Sequence, residues 1–140
     1  MLRTAEAFME ACRAQGWKWK DSRDLESGKS LVVCGINGED THYDVRFFFD
    51  QDEESVAIRV FGITRATQET FAKLLITCNQ LNNRFRWMKF CIDDDKDVNV
   101  EHDAVISVES AGEVCVELLR RLMGIVDKAY PELMRAQYGN

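Results

Sequence analysis

The sequence predicts one α+β domain, residues 1–140, in which helices flank an antiparallel sheet in the order α-βββ-α-ββ-α. The chain has 140 residues and a hydrophobic fraction of 46 %, which suits a single domain with a sizeable core. Apolar residues alternate with period two through two hairpin regions, and they recur at helical spacing before, between and after these regions. The connections are short, which favours antiparallel neighbours over the long crossovers of a parallel sheet.

The first predicted helix begins at Thr4 and ends near Gly16. Threonine is a common helix cap and glycine a common stop. The apolar residues between them recur at helical spacing: Ala5, Phe8, Met9 and Cys12. The polar segment Trp17–Lys29 follows, and we expect it to be irregular or to hold one short strand.

Three strands are predicted next, over Leu31–Ile36, Tyr43–Phe49 and the alternating run Val56–Phe61. Asn37-Gly38 between the first two strands is a strong hairpin-turn signal. The acidic segment Asp50–Glu54 is expected to form the second turn. Strands joined in this way form an antiparallel meander.

The spacing of apolar residues changes to 3.6 from Thr67, which predicts a second helix that ends at Asn82-Asn83. Its apolar stripe is Phe71, Leu74, Leu75, Cys78 and Leu81. Strands over Phe85–Ile92 and Val98–Ile106 then form a second hairpin around the turn Asp93–Asp97.

The last predicted helix begins at Ser110. Ser110 and Glu113 have the spacing of a capping box, in which each side chain bonds a backbone N–H of the other residue. Pro131 is expected to interrupt this helix, because proline lacks the N–H that the helical ladder needs. A frayed helical tail should follow it.

The charge and the cysteines limit the partners and the compartment. The chain carries 24 acidic and 18 basic residues, a formal net charge of −6, and the basic residues are scattered. Nucleic acid and anionic membranes are therefore not expected as partners. The basic residues Arg84, Arg86 and Lys89 near Phe85 and Trp87 are only weakly similar to the basic and aromatic pattern of RNA-binding proteins. Five widely spaced cysteines indicate reduced thiols rather than a disulfide framework. With neither a signal peptide nor a membrane span evident, we expect a cytoplasmic protein.

No motif predicts a catalytic site, a metal or a cofactor. The acidic turn Asp93–Asp97 fails the EF-hand pattern, because the sixth and twelfth positions are Val98 and Ala104 instead of glycine and glutamate. His42 and His102 lack the spacing to cysteine that zinc sites have. Two alternatives remain open: a small-molecule or metal sensor that uses the acidic turn with either histidine, and a hydrolase that pairs a cysteine with His102-Asp103.

Large apolar residues on both faces of several strands are the most informative feature. A sheet covered by helices on one side needs only one apolar face. The second face predicts a contact surface for another protein, and the candidates are Phe48, Phe61, Phe85 and Trp87. The alternative is that the first helix or the segment Trp17–Trp19 covers it.

The stretch Leu74–Leu122 resembles the YbjN family. The resemblance rests on residues around Asn79, on Phe85-Arg86-Trp87-Met88-Lys89-Phe90, and on the acidic turn followed by Val98-Asn99-Val100-Glu101. These are small bacterial proteins described as sensory-transduction regulators. The resemblance implies a fold similar to type III secretion chaperones and frequent dimerisation, and it supplies no catalytic residues to carry over.

Two further details follow from the resemblance. Lys96 stands in the hairpin turn where relatives often have glycine, and Asn79 and Asn82 are expected to act as helix caps. Together with the apolar strands, the resemblance favours a non-enzymatic protein-binding domain, chaperone-like or a regulatory adaptor. Its expected partners are a second copy of itself and a protein client.

Overall fold

The computed structural model describes residues 1–139, which form three helices and a six-stranded antiparallel sheet. The helices are α1 (Arg3–Ala14), α2 (Phe71–Arg84) and α3 (Ala111–Tyr138). The strands are β1 (Asp21–Asp24), β2 (Ser30–Asn37), β3 (His42–Phe49), β4 (Ser55–Arg65), β5 (Lys89–Ile92) and β6 (Asp97–Val105). The predicted α+β fold and order of elements are confirmed, and the expected connection Trp17–Lys29 supplies the short strand β1.

The strands lie in the order β1-β2-β3-β4-β6-β5. Three helices pack against one face of this sheet, which we call the inner face. Strand β3 shows why, since its residues Tyr43, Val45, Phe47 and Phe49 are all buried there. The ring of Phe8 in α1 lies 4.3 Å from the ring of Phe47. Burying each such side chain stabilises the fold by roughly 1.5–3 kcal/mol, so the aromatic contacts fix α1 on the sheet.

Helices α2 and α3 begin with the same reciprocal side-chain pair. Thr67 and Thr70 each accept a hydrogen bond from the other's backbone N–H, and Ser107 and Ser110 do the same ahead of α3. The predicted capping box between Ser110 and Glu113 is therefore wrong. Ser110 bonds backward to Ser107, because Ser107 is the residue at which the chain leaves β6 and turns.

The beginning of α1 is held by residues distant in sequence. The backbone N–H of Leu2 donates to Ser30 Oγ at 2.9 Å, and that of Arg3 donates to Glu53 Oε2 at 2.8 Å. Thr4, predicted as the cap, lies inside the helix and is buried. Oxygen atoms from β2 and the β3–β4 turn thus take the role that the sequence assigned to a local side chain.

Two predicted helix ends are also wrong. Helix α3 continues past Pro131 to Tyr138, and Ala129 and Leu133 on either side of the proline are fully buried. Their burial favours continuation over a break. Helix α2 runs to Arg84 rather than ending at Asn82-Asn83, so Asn82 is not its cap.

A bulge in β4 divides the sheet. Pairing of β4 with β6 shifts register between Val60 and Thr64, and Gly62 there has a positive φ of 63°. The buried side chain of Asn99 accepts a hydrogen bond from Gly62 N–H at 2.9 Å and fixes the bulge. Strand β3 pairs with β4 only from Arg46 to Phe49.

Within residues 1–139, no helix has the length and apolar character to cross a membrane.

Candidate functional site

An aromatic pair lies on the face of the sheet opposite the helices, which we call the outer face. The rings of Phe48 and Phe61 are 6.3 Å apart and meet edge to face at 63°. Phe61 is 48 % exposed, whereas Phe48 is half-buried. The edge-to-face arrangement is one that aromatic rings prefer. Two of the four predicted contact residues are therefore neighbours on one uncovered surface.

Strand periodicity places both rings there. Successive side chains point to opposite faces of a strand. Phe48 stands between the inward-facing Phe47 and Phe49, and Phe61 follows the buried Val60. The outward direction of both rings is thus a direct consequence of the alternation visible in the sequence.

Apolar residues extend the pair across neighbouring strands. Leu31 of β2 lies opposite Phe48, which in turn lies opposite Ala57 of β4. Leu31 and Val33 are buried although they do not belong to the main core. Val105, at the end of β6 and opposite Ser55, is 89 % exposed. An apolar row therefore extends over β2, β3 and β4 on the outer face and ends at Asp103 of β6, with Val105 beyond it.

Charged residues of both signs surround this row. The Arg46 guanidinium lies 6.0 Å from the centre of the Phe61 ring, within the range of a cation–π contact. Arg59 and Asp103 form an ion pair at 2.8 Å, and Lys20 pairs with Asp44 at 3.0 Å. The outer face thus offers an apolar centre with a rim of mixed charge.

Phe85 and Trp87 do not join this surface. Both lie in the loop before β5, which begins at Lys89 and not at Phe85 as predicted. Phe85 packs against the main core. Trp87 is 37 % exposed; its ring is 6.3 Å from that of His102 and 5.0 Å from the Arg121 guanidinium of α3. Because α3 covers the inner face, Trp87 is on the helix side of the molecule.

The acidic turn Asp93–Asp97 uses its carboxylate internally. Asp93 Oδ1 accepts hydrogen bonds from the N–H groups of Asp95 and Asp97, and Oδ2 accepts one from Asn99 Nδ2 at 2.8 Å. These bonds, led by that of Asn99, lower the pKa of Asp93. No group of three or more histidine, cysteine, aspartate or glutamate residues within the described chain is arranged to hold a metal ion. The Asp93 carboxylate thus holds the turn together.

The histidines have other neighbours. His42 Nδ1 lies 2.6 Å from Asn37 Oδ1 across the β2–β3 hairpin. His102 faces the Trp87 ring. A hydrolase dyad would need a thiol beside one of them, and these contacts do not provide it.

All five cysteines are free, and four of them are buried. Burial raises the pKa of Cys78 to about 11 and that of Cys115 to about 12. The hydrogen bond that the Cys34 thiol makes with Cys12, followed by burial, raises the pKa of Cys34. The same hydrogen bond lowers the pKa of Cys12, but the Cys12 thiol is buried. Catalytic cysteines combine a lowered pKa with access to solvent, and the four buried thiols lack that access.

Helix α2 carries two exposed apolar residues that the sequence analysis did not assign to a surface. Leu75 was predicted on the buried stripe but is 51 % exposed, and Ile76 beside it is also exposed. Leu74, Cys78 and Leu81 are buried as predicted. The spacing of these three residues alone would have left Leu75 on the solvent side.

Comparison with known protein families yields a match over most of the chain. The family model of YbjN, described as "Putative bacterial sensory transduction regulator", matches residues 4–134, which is nearly the whole chain. No curated protein matches the sequence.

Proposed function

The chain belongs to the YbjN family, and from this premise we propose that it is a non-enzymatic regulatory adaptor that acts as a homodimer. The observation that carries the proposal is the exposed Phe48–Phe61 pair on the outer face. Exposed apolar groups on a sheet face are unfavourable in water, and contiguous ones commonly mark interfaces. Association of two outer faces would remove both rings from solvent.

The size of the outer face suits a dimer. The six strands contain 44 residues, and at ~3.3 Å per residue and ~4.8 Å between strands one face of the sheet covers roughly 700 Å². A stable interface buries about 600–1,000 Å² per partner. One outer face against another therefore reaches the lower end of the required area.

The charge pattern supports a second copy of this chain as the partner. A two-fold interface brings the same patch of both subunits together, so the patch must be complementary to itself. A face with only one sign of charge would repel its copy. The outer face instead carries Arg46 and Arg59 together with Asp44 and Asp103, and two-fold packing can pair opposite signs.

Phe85 and Trp87 belong to the proposal as contacts for a protein client. They lie apart from the Phe48–Phe61 pair, so a client could use them while the dimer is intact. Trp87 has the features of a contact residue, since a partly exposed tryptophan flanked by arginine is common in binding hot spots. The unpaired thiols favour a reducing compartment, and the proposal places the protein in the cytoplasm.

Sedimentation equilibrium of the purified protein tests the dimer. We expect a dimer for the wild type and a monomer for Phe61→Glu, because the new carboxylates would be buried against each other. Leu75→Glu is the matched control: Leu75 is 51 % exposed and Phe61 48 % exposed, but Leu75 lies on α2. The control variant should stay dimeric.

Thermal unfolding of both variants separates dissociation from misfolding. A wild-type protein that remains monomeric at high concentration would contradict the proposed homodimer. If Leu75→Glu also converted the dimer to a monomer, the interface would lie on the helix side instead of the outer face. The client contact is tested separately, by co-purification with wild-type protein and with Trp87→Glu, which should lose the client and remain dimeric.

A further inference from the structure

A cavity of about 250 Å³ lies between the end of β2 and α3, on the helix side of the sheet. It is lined by Trp17, Lys18, Cys34, Gly35, Ile36, Asn37, Leu119 and Met123. Neither Phe48 nor Phe61 lines it, and no residue of the acidic turn does. The cavity is therefore distinct from the surface to which we assign dimerisation.

The cavity lies where the segment between α1 and β1 has not yet joined the sheet. Pairing of β1 with β2 ends at Asp21, opposite Val33, and the last bond runs from Lys20 N–H to Val33 O at 2.7 Å. Trp17 is held elsewhere, since its N–H donates to Cys12 O at the end of α1 at 2.8 Å. The backbone between these two anchors is separated from the last residues of β2, and the space between them is the cavity.

The walls are mostly apolar. Trp17, Ile36, Leu119 and Met123 provide an indole ring and three aliphatic or thioether side chains. Ligand sites typically combine such walls with a few polar groups that orient the ligand. Trp17 supplies a flat surface on which another aromatic ring can pack with a favourable offset.

The charge at the cavity is positive. Of the described residues that line it, Lys18 is the charged one, and it is exposed. The Arg120 guanidinium lies 5.2 Å from the centre of the Trp17 ring, but it is hydrogen-bonded to Gln15 Oε1 and does not line the cavity. An anionic group at the entrance would interact favourably with Lys18, whereas an ammonium group would be repelled.

We propose that this cavity is a binding site for a small aromatic carboxylate. Its volume corresponds to about eight water molecules at ~30 Å³ each. Clefts for drug-sized ligands are larger, at roughly 300–1,000 Å³, so the ligand has one or two rings. The ring lies among Trp17, Leu119 and Met123, and the carboxylate is directed toward Lys18. The site does not depend on the dimer.

Three probes with the same ring and different charge test this assignment. Indole-3-acetate is anionic, 3-methylindole is neutral and tryptamine is cationic at neutral pH. Calorimetric titration should give the tightest binding for indole-3-acetate, by about two- to five-fold over the neutral probe, as expected for a solvent-exposed ion pair. Tryptamine should bind most weakly. In NMR spectra the indole N–H of Trp17 should shift, with smaller changes at Trp19 and Trp87.

Two variants with a control locate the site. Met123→Trp should fill the cavity and weaken indole-3-acetate binding at least ten-fold, whereas Met134→Trp, elsewhere on α3, should not. Lys18→Glu changes an exposed residue and should reverse the preference between indole-3-acetate and tryptamine. This variant keeps the test valid if Met123→Trp does not fold.

Three results would overturn the assignment. One is the absence of binding by all three probes at millimolar concentration. Another is a wild-type preference for tryptamine, and the third is an NMR shift centred on Trp19 or Trp87. None of them would affect the dimer proposal, which is measured by sedimentation.

Discussion

The side-chain amide of Asn82 forms two hydrogen bonds with the backbone of Phe90, which joins α2 to the edge strand β5. Asn82 Oδ1 accepts from Phe90 N–H at 2.7 Å, and Nδ2 donates to Phe90 O at 3.1 Å. One amide thus takes the place of a neighbouring strand. Open strand edges promote association with other chains, and Asn82 satisfies this edge from within the molecule.

Asn82→Ala should therefore destabilise the protein and open the β5 edge. Leaving the N–H and C=O of Phe90 without partners should lower the free energy of unfolding by about 1–3 kcal/mol. Urea unfolding measures this loss, and light scattering should show increased self-association. Asn79→Ala changes an exposed asparagine of the same helix and should alter stability by less than ~0.5 kcal/mol. Equal effects of the two substitutions would contradict the bridging role.

Strand alternation made the outer face predictable from the sequence. The period-two pattern of Tyr43–Phe49 agrees with β3 to within one residue, and it correctly separates Phe48 from its buried neighbours. Phe61 followed from the same rule in β4. Such a pattern depends only on backbone geometry, so it can be recognised in the sequence without knowledge of the tertiary structure.

Features that depend on distant packing could not be predicted in this way. Pro131 was expected to interrupt α3, but the helix continues beyond it because Ala129 and Leu133 are both buried. Phe85 and Trp87 were predicted to lie in a strand over Phe85–Ile92. The β5 strand starts later, so these residues lie outside the alternation that would have set their direction.

Lys96 occupies a backbone conformation that favours glycine, so a glycine there should stabilise the protein. Its φ is +71°, in the β5–β6 turn, and the left-handed region costs a residue with a Cβ about 1–2 kcal/mol. Lys96→Gly should unfold with a free energy about 1 kcal/mol higher than Lys96→Ala, after allowance for the entropy of glycine. Both variants lose the contact of the Lys96 ammonium with Phe71, so their difference isolates the backbone. An alanine variant as stable as the glycine variant would refute the argument.

Thiol chemistry should distinguish Cys91 from the other four cysteines. Cys91 is half-buried, and the others are buried. A chromogenic disulfide reagent should therefore modify one thiol in the native protein and five after unfolding, and Cys91→Ser should remove the native reaction. Burial raises the pKa of Cys91, so this reaction should be slower at neutral pH than that of a free thiol and should accelerate as the pH rises. Rapid native modification of Cys12 or Cys34 would show a mobile core and reopen the hydrolase hypothesis.

Glu53 should make the stability of the protein depend on pH, because its carboxylate binds both the backbone N–H and the guanidinium of Arg3. The bond with the Arg3 side chain is the main cause that lowers the pKa of Glu53. A lowered folded pKa means that this stabilisation is present above the unfolded value of about 4.3 and disappears as the pH falls through the folded value. Glu53→Gln, which keeps the side-chain shape, should be less stable than the wild type at pH 7, with a difference that shrinks as the pH falls below about 4.3. Urea unfolding across this range measures it, and Arg3→Ala should show the same dependence without adding to it in the double variant. A difference that persists unchanged at pH 3 would mean that the glutamate acts through its shape and not through its charge.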